Sequence, residues 1–237
     1  MTPAARSLKT AASANRGIPT KIYDLSQPIF HNAPQWAQYD PASVTLEYTI
    51  AMNGFNAEHV ELMTHTGTHV DVPFHVILAG ATIDQIPLEQ FMGRALCVDV
   101  RGLSPGSAIG REQLAPHAAT IAKDDIVLLN TGWGEKRGLT TEYLTAWPYL
   151  DGPAAEFLVS LGIKGVGTDG LSIGGWGDPA KGRPAHAALL GAGKFVIEDM
   201  RIPDALMDGK KRVFCAFPIL LKGCGGAWVR AVAWDFD

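Results

Sequence analysis

Short β-rich segments recur along most of this chain and constrain its fold more than any other feature of the sequence. Each is rich in β-branched or aromatic residues and is bounded by Gly, Pro, Asn or Asp, the pattern of strands separated by turns. Nine such segments are present: Lys21–Leu25, Val44–Met52, His59–Thr64, Leu96–Arg101, Ile126–Thr131, Ile163–Thr168, Phe195–Met200, Val213–Leu221 and Val229–Trp234. Their number predicts a core dominated by a β-sheet.

Helical patterns are fewer and fall between the strands. The clearest begins at Asp151, a capping acid followed by Pro153, and ends at Gly162 after a set of apolar positions at helical spacing. Two weaker helices are predicted at Arg111–Ala118 and Thr141–Trp147. Strands and helices together predict an α/β fold with a compact mixed sheet.

The chain shows one break in composition, close to its N-terminus. Residues 1–18 are rich in Ala, Ser and Thr but lack the continuous apolar segment of a signal peptide, so we expect a flexible tail. No repeat, low-complexity block or charged linker follows it. We therefore expect a single domain over residues 19–237.

The charge balance argues against a polyanionic partner. The chain has 20 Lys and Arg against 24 Asp and Glu, for a formal net charge of −4, and it has no basic cluster. Nucleic acids and anionic membranes both require a positive face, and no apolar segment approaches the ~20 residues of a membrane span. We therefore expect a soluble protein that acts on a small molecule.

The three cysteines indicate the compartment. Cys97, Cys215 and Cys224 lack the paired spacing of a zinc or redox motif, and the first two lie inside β-rich segments. Buried free thiols are therefore expected, and these are typical of a reducing compartment. We expect a cytoplasmic protein.

Three of the seven histidines fall with an aspartate in one eleven-residue window, which reads His65-Thr-Gly-Thr-His69-Val-Asp71-Val-Pro-Phe-His75. Neutral imidazole and carboxylate together suit Zn²⁺ or Mn²⁺, whose ligand atoms lie at roughly 2.0–2.2 Å from the ion. The cluster therefore indicates a divalent metal site. The alternative is that His69 and Asp71 are ordinary polar residues that hydrogen-bond to each other.

The backbone of this window cannot be a regular element from end to end. Gly67 and several β-branched residues disfavour a helix, and Pro73 inside one would cost about 3 kcal/mol. A fully extended chain, at about 3.3 Å per residue, would hold the outer histidines too far apart for one ion. We therefore expect an extended or looped segment that bends at Gly67 and Pro73.

The window matches the HxGTHxDxPxH motif of the cyclase-like metal-dependent hydrolases, a family that includes bacterial kynurenine formamidases and isatin hydrolases. Further matches cover nearly the whole chain after residue 18. Residues 22–29, Ile-Tyr-Asp-Leu-Ser-Gln-Pro-Ile, resemble the family's opening DLS-x-P-I strand. Residues 165–172 resemble its G-x-D-x-x-S stretch, and residues 186–198 resemble its later element with a histidine and a glutamate.

The resemblance implies roles for individual residues. His65, His69 and Asp71 would be the primary metal ligands, and Glu198 would bind a second ion or support the first. His75 is the first choice, and His186 the second, for the acid–base group that protonates a leaving nitrogen. Either histidine could instead complete a second metal site, so one or two ions of Zn²⁺ or Mn²⁺ are expected.

The resemblance also implies a swivelling β/β/α layout, a homodimer or homotetramer, and hydrolysis of a C–N amide bond by a metal-activated water. An arylformamide, an isatin-like cyclic amide or a lactam would be the substrate. The alternatives are a metal-dependent cyclase or dehydratase that uses the same ligands, and a non-enzymatic module in which the ion stabilises the fold.

One loop departs from the family pattern. Many relatives have a Trp-Pro-Gly sequence where this chain has Trp36-Ala-Gln-Tyr39, so the resemblance supports the chemistry better than one particular substrate. Trp36, Phe55 and Phe74 are predicted to bind an aromatic substrate, with Tyr39 and Trp176 as further candidates, because flat rings stack favourably on such side chains. Packing in the core is the alternative for each of them.

Overall fold

The computed structural model describes Pro19 and residues 21–235, so the predicted tail of residues 1–18 lies outside the described residues. The strands are β1 (Ile22–Asp24), β2 (Ser43–Tyr48), β3 (Ala57–Glu61), β4 (His69–Asp71), β5 (Met92–Asp99), β6 (Ala108–Ile109), β7 (Ile126–Asn130), β8 (Tyr149–Leu150), β9 (Gly165–Thr168), β10 (Phe195–Glu198), β11 (Lys211–Cys215), β12 (Gly226–Trp228) and β13 (Val232–Trp234). The α-helices are α1 (Ile50–Asn53), α2 (Arg111–Leu114), α3 (Thr141–Thr145), α4 (Gly152–Ser160) and α5 (Pro179–Gly191).

A mixed sheet of nine strands forms the centre of the fold, in the order β1-β13-β11-β5-β7-β9-β10-β4-β12. Its middle strands, from β5 to β10, run parallel, and the strands on both sides of them pair antiparallel. Every one of the nine predicted segments overlaps a strand. The prediction of an α/β fold with a mixed sheet is therefore confirmed.

Both faces of the sheet are buried, as the alternation of side chains along a strand requires. On β7, Leu128 points into one core and Val127 into the other. The second core is closed by α4 and α5, which pack against each other and contribute Leu158 and Leu189. The sheet is thus held between two apolar layers.

The predicted helix after Asp151 is confirmed. The Asp151 side chain accepts a hydrogen bond from the Ala154 amide at 2.8 Å, and the chain leaves the helix at Gly162 with a φ of +74°. The weaker predictions at Arg111–Ala118 and Thr141–Trp147 correspond to α2 with the 3-10 turn that follows it, and to α3.

One sequence-based boundary is wrong. Residues 50–52 were expected to continue the second strand, but they belong to the short helix α1, which Gly54 ends with a φ of +82°. The helix α5 was not predicted; it begins at Pro179 behind the N-cap Asp178 and carries Pro184 in its interior. The capping aspartate and the proline at the first helical position explain this start.

The strands β2 and β3 form a separate two-stranded sheet with α1 at its tip, which we call the β2–β3 arm (residues 43–61). Its large apolar side chains are exposed to solvent. They are Leu46, Tyr48, Ile50, Met52, Phe55 and Val60, and Met52 is 86% exposed.

Candidate metal centre and active site

The strand β4 places two of the predicted ligands, His69 and Asp71, deep in the sheet. It pairs with β10 on one side and with β12 on the other, and all three of its residues are buried. In the β4–β10 pair His69 lies directly opposite Glu198. Side chains of directly opposite residues share a face and lie close together, so the register brings these two groups to one point.

The histidine window bends where the sequence predicts. Gly67 adopts a φ of +69°, a left-handed conformation that favours glycine, and a Cβ there would lie only 2.7 Å from Ile29 Cγ1. After β4 the chain enters a 3-10 turn at Pro73–His75, with the proline at the start. The two bends return His65 and His75 to the side of Asp71 and confirm the predicted shape.

Five side chains meet at the centre. His65 Nδ1 lies 2.6 Å and His69 Nε2 lies 3.3 Å from Asp71 Oδ1, and His69 Nε2 is 3.4 Å from Glu198 Oε2. Two sets of three could each hold an ion, namely His65, Asp71 and His75, and His69, Asp71 and Glu198, with ligand atoms within 4.8 Å of one another. Both sets contain Asp71.

The geometry fits a divalent cation. Ligand atoms about 2.1 Å from a tetrahedral ion are roughly 3.4 Å apart, close to the separations of His69 from Asp71 and Glu198. His69 Nε2 and Asp71 Oδ2 are buried and have no hydrogen-bond partner among the described residues. His69 Nδ1 donates to the Gly67 carbonyl at 2.8 Å, which leaves the lone pair of Nε2 directed at the centre.

The electrostatics of the centre also favour a cation. Burial alone would lower the pKa of His69, but the carboxylates of Asp71 and Glu198 raise it well above its usual value. Burial and Asp71 would raise the pKa of Glu198, but His186 and His69 lower it to about 2. Two buried carboxylates that remain ionised supply the negative charge that a divalent ion neutralises.

His186 reaches the centre from α5. Its Nδ1 donates to the Gly182 carbonyl at 2.9 Å and its Nε2 lies 3.1 Å from Glu198 Oε1. The same Glu198 oxygen accepts from Ser172 Oγ at 3.1 Å and from the Ile173 amide at 2.7 Å. Ser172 had no predicted role, although it is the serine of the G-x-D-x-x-S stretch.

A family model named Cyclase matches residues 23–174, which is more than half of the chain. The chain belongs to the cyclase family. A kynurenine formamidase from Bacillus cereus is 29% identical over 211 residues, a match that covers 88% of this chain and 95% of the relative.

Solved structures of cyclase-family type agree with this assignment. A potential metal-dependent hydrolase with cyclase activity is 28% identical, with a TM-score of 0.75 over 92% of this chain and 98% of that one. Isatin hydrolase A from Labrenzia aggregata, bound to benzyl benzoate, has a TM-score of 0.83 and covers 92% of this chain and 94% of its own, and at 24% identity it shows the fold. Together these relatives support a metal-dependent amide hydrolase, as the sequence predicted.

In this cyclase-family member a cavity of about 460 Å³ opens above the metal centre. Its walls include Trp36, Tyr39 and Trp176, and its floor includes His65, His75, His186 and Glu198. The rings of Trp36 and Trp176 meet edge to face with centroids 4.6 Å apart. The glycine-rich loop around Trp176 therefore lies beside the site.

Two of the predicted substrate-binding residues lie elsewhere. Phe55 belongs to the β2–β3 arm, where it stacks on Tyr48 with ring centroids 5.5 Å apart, and Phe74 is exposed at the 3-10 turn. Neither contributes to the walls of the cavity, whereas Trp36 does. The sequence alone could not distinguish these aromatic residues, because the tertiary fold decides which of them line the cavity.

Within Pro19 and residues 21–235, none of the helices combines the length and the apolar character of a membrane span.

Proposed function

We propose that this chain hydrolyses the C–N bond of an aromatic formamide, an isatin-like cyclic amide or a lactam, with Zn²⁺ or Mn²⁺ in its buried centre. The single observation that carries the proposal is the unpartnered pair formed by His69 Nε2 and Asp71 Oδ2 beneath an aromatic cavity. Buried polar atoms are rarely left without partners, and this pair is satisfied by an ion. The names of the kynurenine formamidase and isatin hydrolase relatives support the class of substrate.

We assign His65, His69 and Asp71 as the primary ligands and Glu198 as a further ligand. When bound, the cation supplies Lewis acidity and a nucleophile at neutral pH, because it lowers the pKa of its water from 15.7 towards about 7. The two possible ligand sets share Asp71 and support a capacity for one or two ions. With one ion His75 is free for proton transfer, whereas a second ion would take His75 as a ligand.

The substrate ring would pack against the edge-to-face pair of Trp36 and Trp176, because aromatic pairs are favourable in offset or edge-to-face contact. The cavity is large enough for a bicyclic ring system, since ligand cavities begin at about 300 Å³. In this arrangement the amide would lie above the candidate metal centre, and the substrate ring would displace water from the apolar wall of the cavity.

We assign His75 as the group that delivers a proton to the leaving nitrogen. Its ring lines the cavity and makes no hydrogen bond to the described residues, whereas both ring nitrogens of His186 are engaged. Burial lowers the pKa of His75, so its neutral ring would first accept a proton from the attacking water and then pass this proton to the leaving nitrogen. His186, which pairs with Glu198, is assigned to orient that carboxylate and is the second choice for proton transfer.

Loading the purified protein with Zn²⁺ or Mn²⁺ and screening aryl formamides, isatin and lactams tests this function. The loaded wild type is expected to release an amine or a ring-opened acid, and D71N is expected to lose at least 100-fold in kcat/KM together with its metal. The exposed Asp204, changed to Asn, is the matched control and should leave both unchanged. Metal-loaded wild type that hydrolyses none of these amides would contradict the proposal.

We propose a homo-oligomer, a dimer or a tetramer, assembled through the β2–β3 arm. Contiguous exposed apolar side chains mark interaction sites, and the arm carries six of them. A cytoplasmic location is proposed as well, supported by Cys97, Cys215 and Cys224, which are all free thiols.

A further inference from the structure

Tyr39 lies in the loop where this chain departs from the family's Trp-Pro-Gly pattern. The side chain is half-buried and lines the cavity together with His75 and Glu198. It therefore faces the same space in which the reacting amide would lie.

The loop is fixed to the metal-binding segment by one buried amide. Gln35 Nε2 donates to the carbonyl oxygen of Asp40 at 2.5 Å and to that of Tyr39 at 3.4 Å. Gln35 Oε1 accepts from Thr66 Oγ1 at 3.0 Å. Because Thr66 directly follows His65, the position of Tyr39 is set relative to the metal ligands and does not depend on a free loop.

The hydroxyl of Tyr39 is available as a donor. It makes no hydrogen bond within Pro19 and residues 21–235. Burial, followed by the charges of Glu198 and Asp71, raises the pKa of Tyr39 to about 12, so the group keeps its proton throughout the range of any ordinary assay. A phenol that keeps its proton and has no internal acceptor can donate to a ligand.

We propose that Tyr39 is a further catalytic residue, whose hydroxyl donates a hydrogen bond to the substrate carbonyl oxygen as that carbon becomes tetrahedral. The inference rests on the proposed amide hydrolysis. Tyr39 retains its proton, and no bond to it forms or breaks. Charge grows on the oxygen during attack, so the hydrogen bond strengthens towards the transition state and raises kcat more than it lowers KM.

The variant Y39F isolates the hydroxyl, because it keeps the aromatic wall of the cavity. We expect kcat to fall by about 100-fold, the magnitude for one oxyanion donor, while KM stays within about twofold and the bound metal is unchanged. The matched control is Y23F, on β1 near the opposite edge of the sheet, which should behave as wild type. A Y39F enzyme with wild-type kcat would overturn the proposal.

A binding measurement separates this proposal from the function on which it rests. Metal-loaded wild type and Y39F are titrated with an aryl phosphonamidate, which is tetrahedral, and with a planar aryl amide that carries the same ring. We expect Y39F to bind the tetrahedral compound at least 10-fold more weakly and the planar one equally well. An equal loss of affinity for both compounds, or a loss for neither, overturns the role of Tyr39. If the wild type turns over no amide but Y39F still loses affinity for the tetrahedral compound alone, only the proposed hydrolysis is overturned.

Discussion

At the scale of single residues, the candidate metal centre depends on a glycine as well as on the proposed ligands. Gly226 on β12 lies opposite Asp71, and any Cβ at this position would collide with the imidazole ring of His65. The His65 ring occupies the space that a side chain at position 226 would fill. The close approach of His65 to Asp71 therefore requires a residue without a side chain on the next strand.

We predict that G226A reduces metal affinity by at least 10-fold, because His65 must move away from Asp71 to make room for the methyl group. Overpacking of this kind costs about 1–3 kcal/mol of stability. Zinc titration and urea unfolding measure the two effects. The control G138A, whose added methyl group would have no neighbour closer than 3.7 Å, should change neither, and a G226A protein with wild-type affinity would contradict this account of His65.

Most of the ligand cluster could be predicted from the sequence, because four of its members lie within eleven residues and the bends at Gly67 and Pro73 have local causes. The contribution of Ser172 could not. It reaches the centre from a segment far away along the chain, and only the tertiary fold decides which polar side chain meets Glu198.

At the scale of elements, the end of β10 is fixed by a buried ion pair. Asp199 directly follows Glu198 and has a φ of +51°. The guanidinium of Arg137 donates to both of its carboxylate oxygens, with Nη2 2.9 Å from Oδ2, and Tyr143 donates to it as well. Arg137 also donates to the Pro28 and Pro34 carbonyls, so one side chain joins the strand that carries Glu198 to the loop that leads to Trp36.

We predict that R137M lowers the free energy of unfolding by about 3–5 kcal/mol, because it leaves the carboxylate of Asp199 buried without its counter-ion. The two side chains are 8% and 1% exposed. The control is R201M, since Arg201 pairs with Glu135 at the surface and is 59% exposed, and it should cost less than about 1 kcal/mol. Equal denaturation midpoints for the two variants would contradict a structural role for the Arg137 pair.

Strand segments were predicted well because each is bounded by Gly, Pro, Asn or Asp, but β4 itself was not predicted as a strand. It has three residues and takes its hydrogen bonds from β10 and β12, far along the sequence. The helix α5 was missed because Pro184 usually marks the boundary of a helix, whereas the packing of α5 on α4 tolerates this proline in the interior.

At the scale of the whole molecule, the β2–β3 arm is one of the apolar surfaces that a single chain leaves uncovered. It carries six exposed apolar side chains, and one of them is Phe55, which was predicted to bind a substrate. A second copy of the chain would bury these side chains, and Phe55 would then belong to a contact between subunits.

We predict that the double variant I50K/M52K shifts the protein from an oligomer to a monomer, because two added charges would have to be desolvated in the interface. Sedimentation or light scattering of wild type and variant measures this. The control pair, T141K and E142K on the exposed first turn of α3, should leave the mass unchanged. A wild type that is already monomeric at high concentration would count against the proposed assembly.

The antiparallel pairing of β4 with β10 and β12 also sets the order in which the centre can be built. Both neighbours lie more than 100 residues downstream of the histidine window. A nascent chain that emerges from the ribosome as far as α5 already contains His65, His69, Asp71 and His75, yet it lacks Glu198 and the two strands that align β4. An ion that needs all of these ligands could therefore be captured only after the last third of the chain has closed around the first.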